Sequence, residues 1–118
     1  MDRETFINGL TNASSMDRSK IDRVLTDSID SNMPDGNPRG HRNLIIVMEE
    51  LAELSKEISK ELRGKGDTVS ILEEMADVQL GIYYIQKILC IDDNMLEKAG
   101  AVKTNRLASV LYTDGSYK

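Results

Sequence analysis

Residues 42–63 read RNLIIVMEELAELSKEISKELR, and residues 68–90 read TVSILEEMADVQLGIYYIQKILC. In the first stretch Leu44, Val47, Met48, Leu51, Leu54, Ile58 and Leu62 recur at helical spacing, which predicts one amphipathic helix over about 42–63. In the second, Ile71, Leu72, Met75, Val78, Leu80, Ile82, Tyr83, Ile85, Ile88 and Leu89 cover more than one face of a helix ending near Cys90. A helix apolar on most sides is buried on most sides. In a chain of 118 residues that implies a second subunit covering part of it, as a homodimer or homotetramer. Gly64-Lys65-Gly66 ends the first helix, glycine being the usual residue just past a C-terminus. Asp67, Thr68 or Ser70 starts the next, with Ser70 and Glu73 spaced as a capping box. So short a connection makes the two helices antiparallel neighbours.

The flanking sequence is also helical in pattern. Asp2 is placed to cap a short helix carrying Phe6, Ile7 and Leu10. Ile21, Val24, Leu25 and Ile29 form one stripe on a charged stretch from about Asp17 to Ser31. Residues 33–40 hold both prolines and two glycines, the clearest break in the chain. Asp92 or Asp93 caps a last helix running to about Leu111, with Met95, Leu96, Ala99, Val102, Leu107, Val110 and Leu111 as its expected buried positions. No β-strand pattern and no repeat stands out. The expected fold is all-α, with four or five helices. It divides into an N-terminal helical segment and Pro/Gly loop over 1–40, the central helices over 41–111 and a polar tail over 112–118.

Composition narrows the function classes. Only 4% of residues are aromatic and Trp is absent, which favours helices over a β-sandwich. A net charge of -5 argues against a broad grip on a nucleic-acid polymer, although a bound cation would reverse the local sign for a small phosphorylated ligand. Cys90 is the single cysteine, so an internal disulfide and a Cys-rich zinc site are excluded, and it is expected to be a small buried residue near a helix end. No leader pattern and no membrane-spanning apolar run occurs, which points to the cytosol.

Within the two central stretches lie the pairs Glu50-x-x-Glu53 and Glu74-x-x-Asp77. Residues three apart on a helix share a face, so each pair presents two carboxylates in one direction. Carboxylates inside apolar patterns are costly unless something cationic meets them. Four oxygen donors on adjacent helices suit Mg²⁺, or Mn²⁺. A di-iron site needs Glu-x-x-His on two helices, and His41, the only histidine, lies outside both pairs. No Gly-rich phosphate loop and no Ser-His or Cys-His arrangement is present. The competing structural explanation is a solvated acidic helix face, which is common.

The strings Glu49-Glu50-Leu51-Ala52-Glu53-Leu54 and Glu73-Glu74-Met75-Ala76-Asp77-Val78, with a spacer of about twenty residues, resemble the metal-binding helices of the MazG-like all-α nucleoside triphosphate pyrophosphohydrolases. Val102-Lys103-Thr104-Asn105-Arg106-Leu107 is similar to the basic segment that follows them in that superfamily. The match spans roughly Asn43 to Val110. It implies that Mg²⁺ is held by Glu50, Glu53, Glu74 and Asp77, and that a (deoxy)nucleoside triphosphate is cut to its monophosphate and pyrophosphate. Glu53 is the expected general base. Lys103 and Arg106 are three apart, so both can face phosphate oxygens, and Tyr84 is a candidate to stack on a base beside Gly81. A phosphoribosyl-ATP pyrophosphohydrolase-like enzyme and a silent nucleotide-binding or regulatory module are the alternatives.

Overall fold

A computed structural model of the chain describes residues 1–31 and 41–113. The Pro/Gly segment over 33–40 and the end of the polar tail therefore lie outside the described residues. Five helices run in order: α1 (Arg3–Asn12), α2 (Arg18–Ser31), α3 (His41–Leu62), α4 (Thr68–Leu89) and α5 (Asp93–Leu111). No strand occurs among the described residues. None of the described helices is long and apolar enough to cross a membrane.

Each boundary has a local cause. Asp2 caps α1 by accepting from the Thr5 backbone N–H at 2.8 Å, and Asp92 does the same for α5 through Met95 at 2.8 Å. Asp67 caps α4, accepting from the Val69 N–H at 3.2 Å and the Ser70 hydroxyl at 2.8 Å. Ser70 thus serves the cap at Asp67 and does not start its own box with Glu73. At the end of α3 the Lys65 N–H reaches the Lys60 carbonyl at 2.9 Å and the Gly64 N–H reaches Glu61 at 3.0 Å. That is the Schellman pattern, and it requires the left-handed φ of +74° at Gly64. Two residues on, a Cβ at Gly66 would sit 2.6 Å from the Glu61 Cα, so the chain passes too close for any larger residue.

α3 and α4 form a helical hairpin that is the centre of the molecule, and α1 and α2 pack on α4. The two helices approach closely at Gly81, where an added Cβ would stand 3.2 Å from Val47 Cγ1. Among the described residues, Val47 and Leu25 are the buried apolar side chains. α2 is tied to α4 by the Tyr84 hydroxyl, which donates to the Ser28 Oγ at 2.5 Å. Arg3 of α1 pairs with Asp67.

α4 hands over to α5 through Cys90, which adopts a left-handed φ of 56° and is exposed. Its expected burial is therefore corrected: as C-cap it turns out of the helix instead of into the core. Gln86, only 6% exposed, donates to the Ile91 carbonyl at 3.3 Å and to Asp93 Oδ1 at 2.9 Å. Arg18 also donates to Asp93, at 3.0 Å, and stacks 4.0 Å over the Tyr83 ring. These contacts aim α5 away from the hairpin. Every residue of α5 except Ala108 is exposed, so Met95, Leu96, Val102, Leu107, Val110 and Leu111 are not the buried positions their spacing predicts. On α3, Met48, Leu51, Ile58 and Leu62 are likewise exposed, as are Val24 on α2 and Leu72, Met75 and Ile82 on α4.

Candidate metal centre

Glu50 on α3 and Glu74 with Asp77 on α4 offer carboxylate oxygens that all lie within 4.8 Å of one another. The hairpin makes this meeting: antiparallel pairing sets Glu50 opposite the first turns of α4, and the three-residue step from Glu74 to Asp77 keeps both on its α3-facing side. All three are half-buried. Among the described residues this is the only such acidic or His/Cys cluster.

The electrostatics match that crowding. Burial, followed by the charges of Asp77 and Glu74, holds the Glu50 carboxyl above the usual glutamate range, and a hydrogen bond shared with Asp77 adds to it. Glu74 is raised by burial first and then by Asp77 and Glu53. Its Oε2 is buried and has no hydrogen-bond partner. A buried oxygen acceptor without a donor is costly, and a cation would satisfy it.

Glu53 stands outside the triad and is exposed, although its charge is felt by both Glu50 and Glu74. Four acids were expected to converge, and three do. Glu57 is turned to Lys60, with a 3.1 Å ion pair. Tyr84 lines a cavity of about 130 Å³ together with Glu50 and Asp77, closed by Ile46, Val47 and Leu80. Its hydroxyl is already committed to Ser28, so any contact with a ligand there would be through the ring. Gly81 also lines this cavity, yet its missing side chain is accounted for by Val47. Lys103 and Arg106 sit exposed on α5, and among the described residues they form no ion pair with the acids.

One residue at the site's edge escaped the sequence pattern: Ser28 of α2, which accepts from the Tyr84 hydroxyl. Nothing local marks Ser28, whose role depends on how α2 packs.

The donor set fits a hard divalent cation: three carboxylates, with neither histidine nor thiolate among them. Ligand oxygens of one Mg²⁺ at about 2.1 Å lie no more than about 4.2 Å apart, so small side-chain rotations would close the triad on an ion. No protein-family model matches the chain, and no significant match exists among curated proteins or solved structures.

Proposed function

We propose that the Glu50–Glu74–Asp77 cluster holds Mg²⁺, and that the chain hydrolyses a (deoxy)nucleoside triphosphate to its monophosphate and pyrophosphate. The observation that carries the metal assignment is the convergence of three carboxylates from two helices around the unpartnered Glu74 Oε2. The substrate class rests on the likeness of the paired acid strings and the basic segment to the MazG-like superfamily. When bound, Mg²⁺ would neutralise phosphate oxygens and the charge on the departing pyrophosphate.

The chain's own residues have distinct parts in this reading. Glu50, Glu74 and Asp77 are the metal ligands. Glu53, close by but outside the triad, takes the proton of the attacking water as the bond between the α- and β-phosphates breaks. The apolar cavity bounded by Ile46, Leu80 and Tyr84 adjoins the acids and suits one flat ring of the substrate. Lys103 and Arg106 are exposed cations that form no ion pair among the described residues, and they are suited to phosphate oxygens once α5 and the acids of this or another copy approach. A cytosolic location goes with a nucleotide substrate.

Release of pyrophosphate across a panel of standard and damaged nucleoside triphosphates, with and without Mg²⁺, tests the activity. Turnover is expected only with metal and is abolished in Glu53→Gln and Asp77→Asn with helical content intact. Metal binding with silence on every substrate would favour a regulatory nucleotide-binding module, and activity surviving both substitutions would overturn the site.

A further inference from the structure

The N-terminal helices lie outside the stretch that resembles the pyrophosphohydrolases, yet α2 reaches the edge of the cavity beside the acids. Ser28 follows Leu25 by three residues, so the two share one face of α2. Leu25 is buried, only 4% exposed, and Ser28 is half-buried. α2 packs on α4, and there the Ser28 Oγ accepts from the Tyr84 hydroxyl at 2.5 Å. That distance is at the short, strong end of the range for a pair of hydroxyls.

Tyr84 follows Asp77 by seven residues, two turns of α4, so both project from the same side of the helix. Both line the cavity of about 130 Å³ beside Glu50. The Tyr84 ring is thus tethered at two points, through its Cβ to α4 and through its hydroxyl to α2. Its apolar neighbours in the cavity, Ile46 and Leu80, are 39% and 37% exposed, so packing there is incomplete. A ring held at one end keeps its rotamer freedom and must surrender it when a ligand stacks on it. Held at both ends, the ring is already in place.

We infer that Ser28 is a positioning residue for nucleotide binding: its Oγ holds the Tyr84 ring as the wall on which the substrate's base stacks. The inference rests on the proposed nucleotide site and extends it to a helix that the acid pairs do not mark. Ser28 acts through Tyr84, so its effect is confined to ligands that carry a ring. With its hydroxyl proton engaged by Ser28, Tyr84 offers a ligand the face of the ring and no free donor. Such a contact favours flat rings in general over any one hydrogen-bonding pattern.

Isothermal titration of the full chain with Mg²⁺ and the α,β-methylene analogues of the four deoxynucleoside triphosphates, whose α–β link resists the proposed cleavage, reads the ring contact. Inorganic tripolyphosphate with Mg²⁺ is the ringless control. Ser28→Ala and Tyr84→Phe should each weaken the analogues about threefold to tenfold, the scale of one net hydrogen bond. Affinity for tripolyphosphate and for Mg²⁺ alone should stay unchanged, as should helical content. The double variant should bind no more weakly than either single one, because both remove the same bond. Ser28→Thr keeps the Oγ and should restore most of the affinity. Equal losses for tripolyphosphate would make Ser28 a purely structural residue and overturn the inference. So would analogue affinities unmoved by Ser28→Ala, losses that add in the double variant, or a wild type that binds no analogue. Analogue binding that shifts in this way without pyrophosphate release from any natural nucleotide would sink the hydrolase reading and leave the positioning role standing. Pyrophosphate release with Ser28→Ala binding as tightly as the wild type would do the reverse.

Discussion

Replacing Asp77 by Asn should stabilise the metal-free protein and destroy its response to metal. In the triad the Asp77 carboxylate faces two like charges, Glu50 and Glu74, each with an oxygen no more than 4.8 Å away. Coulomb's law puts each repulsion at that distance at about 0.9 kcal/mol in bulk-water screening and about 3.5 kcal/mol at an effective dielectric constant of 20. The groups are half-buried, so the truth lies between. Removing one charge relieves both repulsions, while the Asn amide keeps a hydrogen-bonding group at the position. A net gain of about 1–2 kcal/mol is expected at pH 7.5 in EDTA, or roughly 4–8 °C in the midpoint. With Mg²⁺ at a hundred times its dissociation constant the wild type should gain about 2.7 kcal/mol and the variant almost nothing, so the order of stability reverses. Thermal melts of both proteins in EDTA and in Mg²⁺ decide it. Asp77→Asn destabilising in EDTA, with Mg²⁺ moving neither protein, would refute the like-charge account of the site.

Other expectations follow from the same geometry. Because Glu50 and Glu74 are raised above their unfolded values, the stability they contribute is complete below the ordinary glutamate pKa and is lost as pH rises through their raised values. Denaturation in EDTA should therefore show the wild type weakening from about pH 4.5 upward, and Glu50→Gln should flatten that slope. Gly66→Ala should cost about 1–3 kcal/mol in urea unfolding, since its Cβ would meet the Glu61 backbone. Cys90→Gly should stabilise by up to about 1 kcal/mol, because a left-handed φ is strained for cysteine and not for glycine. Gly81→Leu should pry α3 from α4 at Val47, with loss of helical signal and of metal binding together.

The helices themselves were legible along the chain. The α3 and α4 boundaries, the Asp2 and Asp92 caps and the Gly64 stop were all anticipated, because caps and turns act within four residues. The acid pairs were legible for the same reason: a three-residue step fixes a shared face before any tertiary contact forms. Burial was not. Spacing marks Met48, Leu62 and Val102 as apolar-face residues, but which faces find a partner depends on where the helices go. The exchange at Cys90, Gln86 and Asp93 sends α5 away from the hairpin, and no local pattern announces it.

For the candidate metal centre, the sequence by itself determined the donor type and the pairing of carboxylates on two neighbouring helices. Tertiary structure decided which of them meet. Gly81 lets α4 approach Val47 closely enough to bring Glu74 and Asp77 onto Glu50, while Glu53, rotated a further turn-fraction around α3, is left outside. Helical periodicity sets directions around an axis, and only the packing distance between two axes turns directions into a cluster.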